Sequence, residues 1–121
     1  MATFSITDLA KEFKLSTRAI RFYEDQGLLA PARAGRNRVY GKRDRVRLEL
    51  ILRSKRLGFS LGEIKELFDL YDSTQRDNTK LPLFLKVLSS KRALLMGMKQ
   101  DIEVMLSEIH MLETQHKRTL D

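Results

Sequence analysis

The 121-residue chain carries 23 Lys and Arg against 16 Asp and Glu, which gives a formal net charge of +7 at pH 7. It contains no cysteine, and this excludes disulfides, thiolate metal sites and a cysteine nucleophile. The length allows one compact domain with an extension. No apolar run approaches the roughly 18 residues of a membrane span, and the N-terminus lacks a hydrophobic signal core. We therefore expect a soluble cytoplasmic protein with no membrane partner.

The excess positive charge lies in the first half of the chain. Residues 1–60 have a charge balance of +8, whereas residues 61–121 have a balance of −1. A basic half in a cysteine-free chain of this size favours a nucleic acid as partner. Charge alone also fits a ribosomal protein or a protein that binds a membrane surface, so the placement of the charges must decide.

The first part of the chain predicts two short helices. Ser5 and Ser16 each precede an amphipathic segment and supply the side-chain oxygen that a helix N-cap requires. The first helix is predicted over residues 6–13. The second ends near Gln26, where Gly27 provides a left-handed stop. Because only two residues separate them, the two helices form a helix-turn-helix.

A short hairpin, or wing, is predicted after the second helix. Pro31 excludes a regular helix over residues 28–34. The stretch GRNR at residues 35–38 predicts a turn, and Val39 and Tyr40 have strand character.

Two further helices follow the wing. The third is predicted from Gly41 to Leu57, before a stop at Gly58, with an apolar face of Val46, Leu50, Ile51 and Leu57. The fourth begins at a capping box on Ser60 and extends to about Tyr71, and it is expected to bury Ile64, Leu67, Phe68 and Tyr71. Residues 72–80 contain no apolar side chain and predict a linker.

The remainder predicts one long helix that self-associates. From Leu81 the apolar residues repeat every seven positions, and only Lys91 interrupts the seam before His116. A single exposed helix cannot hide such a stripe, so we expect a coiled-coil homodimer. The seam residues are Leu81, Phe84, Leu88, Leu95, Met98, Ile102, Met105, Ile109 and Leu112.

The predicted fold class is mainly α. A winged helix-turn-helix DNA-binding domain of four helices and a hairpin is expected over residues 1–72. A linker over residues 73–80 and a coiled-coil dimerisation helix over residues 81–121 follow.

The second helix, STRAIRFYEDQ, carries side chains suited to DNA. In a helix-turn-helix, the N-terminal residues of the second helix meet base edges in the major groove. Thr17 fits a base edge or a thymine methyl group, and Arg18 fits a guanine. Arg21 and Tyr23 suit phosphate contacts. The alternative is a solvated charged helix face.

The wing adds a second basic surface. Arg36 and Arg38 are placed to contact phosphates or the minor groove, and Tyr40 is placed to donate to a phosphate oxygen. The alternative is a loop that serves solubility alone. For Arg45 and Arg47 on the third helix, we expect solvation or an ion pair with Glu49.

The sequence resembles a known family. The stretch ITDLAKEFKLSTRAIRFYEDQGLL, followed by RNRVY and KRLGFSLGEIKELFDL, is similar to the MerR family of winged-helix transcription regulators over about residues 4–71. The resemblance implies base contacts from Thr17 and Arg18. It implies backbone contacts from Arg21 and Tyr23. It places Arg38 and Tyr40 at the wing contacts of the family, and it implies a phosphate contact from Lys55 or Arg56 near the end of the third helix.

The resemblance also implies how such a protein acts. An antiparallel coiled-coil homodimer binds a pseudo-palindromic promoter whose spacer is too long. It then distorts that spacer so that RNA polymerase contacts both promoter elements.

Two departures from the family pattern matter. Gly41 stands where the family has a Ser or Thr cap, which weakens the start of the third helix. The absence of cysteine excludes mercury, copper, thiolate-zinc and iron–sulfur sensing by these residues. The stretches TRAIRFYEDQGLL and ILRSKRLGFSLGEIKELFDLYD look most like those of the short members that regulate leucine, isovalerate or acyclic-terpene breakdown. That similarity implies a small organic, acyl-CoA-like effector.

No cofactor or metal is expected. His110 and His116 lie six residues apart, which is not the spacing that places two ligands on one helix face, so we expect surface or seam histidines. An enzyme is not expected, because the chain lacks a glycine-rich phosphate loop and a nucleophile paired with a base. The remaining alternative is an effector-independent architectural or excisionase-like factor that bends DNA.

Overall fold

The computed structural model describes residues 2–120. The elements are β1 (Thr3–Phe4), α1 (Ile6–Phe13), α2 (Thr17–Asp25), β2 (Ala32–Ala34), β3 (Asn37–Gly41), α3 (Lys42–Arg56), α4 (Leu61–Arg76), a 3-10 turn (Asn78–Lys80) and α5 (Leu81–Leu120). They confirm the mainly α class, with a winged helix-turn-helix followed by a long helix. The residues divide into an N-terminal and a C-terminal unit between Ser73 and Thr74.

The two helices of the helix-turn-helix begin and end as their capping residues predict. The Ser5 hydroxyl accepts from the Asp8 N–H at 3.0 Å, and the Asp8 carboxylate accepts from the Ser5 N–H at 3.0 Å. The Ser16 hydroxyl accepts from the Ala19 N–H at 3.1 Å. Gly27 follows α2 with φ +80°, the left-handed conformation that glycine adopts without steric cost.

The wing is part of a three-stranded antiparallel sheet in the order β1-β3-β2. The β2–β3 turn contains two residues, and Gly35, at its first position, has φ +66°. This is the pattern of a tight hairpin that follows the natural strand twist. Strand β1 was not predicted, because two residues are too few for strand alternation to show.

The core of the N-terminal unit lies where α1, α2, α3 and β3 meet. The completely buried side chains are Leu9, Ile20, Leu28, Tyr40, Leu48 and Ile51. Leu29, Tyr23, Ile64 and Phe68 complete the buried cluster. The helix-turn-helix and strand β3 of the wing therefore contribute to one core, which fixes their relative positions, whereas the residues of β2 are exposed.

The predicted apolar face of α3 was wrong at three of its four positions. Val46, Leu50 and Leu57 are exposed, whereas Leu48 and Ile51 are completely buried. Asp44 also lies on the buried face, where its carboxylate accepts from the N–H groups of Ala30 at 2.9 Å and Gly41 at 3.1 Å. The buried face of α3 thus combines a hydrogen-bonded aspartate with two leucine-sized apolar residues, and apolar residues lie on its exposed side as well.

Helix α4 is longer than its apolar pattern predicts. Ile64 and Phe68 are buried and Leu67 is half-buried, but Tyr71 is 44% exposed and the helix continues to Arg76. The continuation needs no apolar residue because it has no buried face. The segment expected as a linker therefore contains the end of α4 and the 3-10 turn, in which the Asp77 carboxylate accepts from the Thr79 N–H at 3.0 Å.

Helix α5 forms most of the C-terminal unit and has 40 residues. None of its side chains is buried. No helix within residues 2–120 is both long enough and apolar enough to cross a membrane.

Candidate nucleic-acid interface

Helix α2 has one buried and one exposed face. Ile20 and Tyr23, three residues apart, are buried in the core, whereas Arg18 and Arg21 are exposed and Thr17 is half-exposed. This division follows from the helical repeat, which brings residues three or four apart to the same side. The residues predicted to face bases are therefore on the outer side of the helix.

The outer face is arranged by a contact within the helix. The Arg21 guanidinium donates from Nη2 to the Thr17 hydroxyl at 2.9 Å, across one helical turn. Arg18 lies beside this pair and has no ion pair within residues 2–120. Its guanidinium is therefore available to a partner molecule.

The structure gives Tyr23 a packing role that was not predicted. Its ring is buried, and its hydroxyl accepts from Lys55 Nζ at 3.2 Å, while the same ammonium lies 5.6 Å from the ring centroid. Tyr23 therefore joins the end of α3 to α2, and its ring belongs to the core. The neighbouring Phe22 is 46% exposed.

The wing is held against α2 by a cluster of three charges. Arg38 donates from Nε to both carboxylate oxygens of Glu24, at 3.1 and 2.9 Å. Arg33, which faces Arg38 across the hairpin, lies 4.0 Å from the same carboxylate. Two arginines in directly opposite positions of a hairpin repel each other, and Glu24 offsets that repulsion. We call Glu24, Arg33 and Arg38 the Glu24 cluster.

The motifs of the sequence do not identify Glu24 as a functional residue. A usable signal was present, because Glu24 and Asp25 are the only acidic residues between Glu12 and Asp44 in an otherwise basic stretch. An acidic side chain among so many cations is expected to pair with one of them. Which cation it meets depends on where the hairpin lies, and the sequence does not give that position.

The structure corrects the role predicted for Tyr40. The side chain is completely buried, and its hydroxyl has no hydrogen-bond partner within residues 2–120. Burial raises the pKa of Tyr40 above its ordinary value, and the nearby Glu24 carboxylate acts in the same direction. Tyr40 is a core residue of the wing and is not placed to donate to a phosphate.

Four other arginines are engaged within the N-terminal unit. Arg45 pairs with Glu12 of α1, and Arg43 and Arg47 both pair with Asp72 of α4. Arg47 also lies over the Phe68 ring, 4.7 Å from its centroid. The expectation of solvation or a Glu49 partner for Arg45 and Arg47 was therefore wrong. Glu49 pairs instead with Arg53, at 3.2 Å.

These pairs separate structural cations from available ones. Within the described part of the N-terminal unit, the basic side chains without an ion pair are Lys11, Lys14, Arg18, Arg21, Arg36, Lys42, Lys55 and Arg56. They include the outer face of α2, the tip of the wing at Arg36 and the end of α3 at Arg56. Their charge is not compensated locally, so it favours a polyanionic partner.

The remaining predicted residues lie on α5. All nine seam residues belong to this helix, and each of them is exposed or half-buried. No group of three or more His, Cys, Asp or Glu side chains within residues 2–120 is arranged to hold a metal ion.

Comparison with known proteins shows similarity to MerR-family regulators along most of the chain. The family model described as "MerR HTH family regulatory protein" matches residues 4–70, and the model "MerR, DNA binding" matches residues 45–112. A "Probable heavy metal-dependent transcriptional regulator" from Haemophilus influenzae is 34% identical over 114 residues, which are 93% of this chain and 84% of that protein.

Other relatives match over different lengths. "HTH-type transcriptional regulator CueR" from Salmonella typhi is 36% identical over 74 residues, or 60% of this chain, and the match spans only about half (54%) of CueR. The crystal structure of a MerR-family transcriptional regulator from Bacillus thuringiensis superposes with a TM-score of 0.75 at 25% identity, covering 94% of this chain and 99% of that one.

Proposed function

The chain belongs to the MerR family of helix-turn-helix regulators, and from that membership we propose that it is a sequence-specific, DNA-binding transcription regulator and not an enzyme. The observation that carries the proposal is the outer face of α2. It presents Arg18 and Arg21 without acidic partners, and the Glu24 cluster holds the basic wing beside it.

Within this proposal the exposed residues divide between bases and phosphates. Arg18 and Thr17, at the start of α2, contact base edges in the major groove. Arg21, Arg36 and Arg56 contact phosphates, which position the protein without specifying sequence. Arg38 keeps the wing in place through Glu24 and adds positive charge to the same side.

The division can be tested on a duplex that the protein selects from a random-sequence pool. Arg18→Ala should relax preference at one base pair per half-site, with a loss of about 5- to 100-fold against the selected site. Arg36→Ala should weaken all sequences equally and reduce the salt slope by about one unit.

Arg118→Ala, on α5, is the matched control and should bind as the wild-type protein does. If the wild-type protein enriches no sequence from the pool, the proposed function is wrong. If the Arg18 and Arg36 variants lose the same kind of binding, the division between bases and phosphates is wrong.

Dimerisation through α5 is part of the proposal. The stripe of exposed seam residues, Ile102 and Met105 among them, needs a partner to cover it. The charges of α5 support an antiparallel pair. Residues 81–100 hold four Lys and Arg and no acid, whereas residues 101–113 hold four Asp and Glu and no Lys or Arg. Antiparallel pairing places each basic half beside an acidic half, which parallel pairing does not.

The orientation can be tested by disulfide formation, because the chain has no cysteine of its own. In an antiparallel dimer, the two copies of residue 112 lie at opposite ends, tens of ångströms apart at about 1.5 Å per residue. Leu112→Cys should therefore give no cross-linked dimer on oxidation. Leu95→Cys, near the middle of the seam, is the positive control. Efficient cross-linking of the Leu112 variant would indicate a parallel coil.

We propose the family's mode of action for this dimer: it distorts an overlong promoter spacer and so changes access by RNA polymerase. In vitro transcription with purified polymerase tests the step directly. A protein that bends promoter DNA but leaves the amount of transcript unchanged is an architectural factor, and that result would overturn the regulatory proposal.

A small organic effector completes the proposal. The lack of cysteine removes the thiolate ligands that a soft metal ion would require from these residues. A thermal-shift screen should include acyl-CoA esters together with divalent metal ions, because a ligand that binds the folded state raises its unfolding temperature. A shift with metal ions alone would contradict the organic effector.

A further inference from the structure

Lys14, in the turn between α1 and α2, has an unusual backbone conformation. Its φ and ψ are +56° and +46°, and it is the only non-glycine residue with a positive φ among residues 2–120. The other described residues with a positive φ are the glycines Gly27, Gly35 and Gly58. A side chain with a Cβ atom is strained in this region, and glycine is not.

Backbone hydrogen bonds account for the left-handed conformation at position 14, but they do not account for the presence of a lysine there. The left-handed geometry ends α1, with the N–H groups of Lys14 and Leu15 both directed to the Ala10 carbonyl. Glycine makes the same hydrogen bonds at lower steric cost. The geometry of the backbone therefore gives no reason for a lysine in place of a glycine at this position.

Neither packing nor ion pairing within the unit gives a reason for the lysine. Lys14 is exposed, and it forms no ion pair with any described residue. The neighbouring carboxylate of Glu12 is engaged by Arg45. Strain at an exposed, unpaired cation indicates a contact with another molecule.

The position of Lys14 identifies that molecule as DNA. It lies two residues before Ser16, the N-cap of α2, in the turn of the helix-turn-helix. The first helix of this motif crosses the phosphate backbone while the second enters the major groove. A compact ammonium on a flexible stem suits a phosphate better than a base edge. We propose that Lys14 contacts a DNA phosphate at the entrance of α2 to the groove. This inference rests on the proposed function.

Two substitutions separate the charge from the backbone. Lys14→Gly removes both the charge and the strain, whereas Lys14→Gln removes the charge and keeps the strained Cβ. Both should reduce affinity for the labelled selected duplex several-fold at about 0.15 M salt and lower the salt slope by about one unit. Lys14→Gly should also unfold a few degrees higher than the wild-type protein. A gain in stability together with a loss of binding is not expected of a purely structural residue.

Lys117→Gln, the same change on α5, should leave affinity and salt slope unaltered. If Lys14→Gln binds as the wild-type protein does, the inference is wrong, even if Lys14→Gly binds weakly. If both Lys14 variants bind normally while the Arg18 and Arg36 variants fail, Lys14 makes no phosphate contact but the proposed function stands. If the wild-type protein itself does not bind the duplex, both are wrong.

Discussion

The two buried tyrosines of the N-terminal unit differ in what their hydroxyl groups meet. The Tyr23 hydroxyl accepts from Lys55, whereas the Tyr40 hydroxyl has no partner within residues 2–120. A buried hydroxyl without a hydrogen bond costs about 1–3 kcal/mol, while a typical satisfied one contributes about 1 kcal/mol. The same residue type therefore stabilises one position through its hydroxyl and the other only through its ring.

Removing the Tyr40 hydroxyl should not weaken the protein. We expect Tyr40→Phe to leave the free energy of unfolding unchanged or raise it by up to about 1 kcal/mol, with unaltered DNA affinity. The matched variant Tyr23→Phe should lower it by about 1 kcal/mol. Urea unfolding and a binding titration measure both. A Tyr40→Phe protein that folds normally but binds DNA more weakly would restore the phosphate contact predicted from the sequence.

Tyr40 should also produce an alkaline loss of stability. Burial raises its pKa above the ordinary 10.0. Glu24 and Asp44 act in the same direction, and Arg38 and Arg21 oppose them. The folded protein then holds this proton more tightly than the unfolded chain does. The stabilisation linked to this proton is complete below the pKa of Tyr40 in the unfolded chain. It is lost as the pH rises through the pKa of Tyr40 in the folded protein. Above about pH 10, unfolding of Tyr40→Phe should depend less steeply on pH than unfolding of the wild-type protein. Equal slopes would contradict this.

At the scale of elements, ion pairs between distant segments connect the wing and the helices. The Glu24 cluster joins β2 and β3 to α2, Arg45 and Glu12 join α3 to α1, and Asp72 joins α4 to α3 through two arginines. Only some basic residues of the N-terminal unit thus remain available to DNA. The charge excess of residues 1–60 therefore overstates the charge available for binding, since part of it holds the fold together.

Glu24→Gln distinguishes a positioning role from a simple charge effect. Loss of a carboxylate beside a DNA-binding face should by itself strengthen binding. We expect weaker binding and a loss of about 1 kcal/mol in stability, because the wing is released and Arg33 faces Arg38 without compensation. Asp25→Asn, which removes the same charge from the exposed neighbouring residue, is the control and should not weaken binding. Tighter binding by Glu24→Gln with unchanged stability would disprove the positioning role.

At the scale of the whole molecule, the two units differ in how their apolar residues are covered. The N-terminal unit buries a core of its own, whereas α5 has no buried residue along its 40 positions. An apolar stripe of this length on a free helix is unfavourable in water, so its natural complement is a second copy of the same stripe. Tight DNA binding should then depend on dimerisation, because each protomer contributes one half-site contact.

Ile102→Lys tests this dependence. A lysine at a central seam position places a charge in the proposed coil, so we expect monomers by analytical ultracentrifugation and loss of tight binding to the selected duplex. Ser107→Lys introduces the same charge at an outward heptad position of α5 and should leave the dimer intact. A dimeric Ile102→Lys protein would mean that the seven-residue register is wrong.

The sequence by itself determined the features that depend on near neighbours. Caps at Ser5, Ser16 and Ser60, stops at Gly27 and Gly58, and the start of α5 follow from contacts between residues at most a few positions apart. The family resemblance rests on the same local motifs. These local features can be predicted from the sequence because helix capping and helical periodicity are short-range effects.

Only the tertiary structure decided which polar side chains are buried or paired. Glu24 meets Arg38 across 14 residues, Arg47 meets Asp72 across 25, and Lys55 meets Tyr23 across 32. Each cation has several acids of equal chemistry in the sequence, so the choice depends on how the elements pack. The same packing buries Tyr40 and exposes Phe22, and it thereby turned a chain of net charge +7 into a defined set of cations available to DNA.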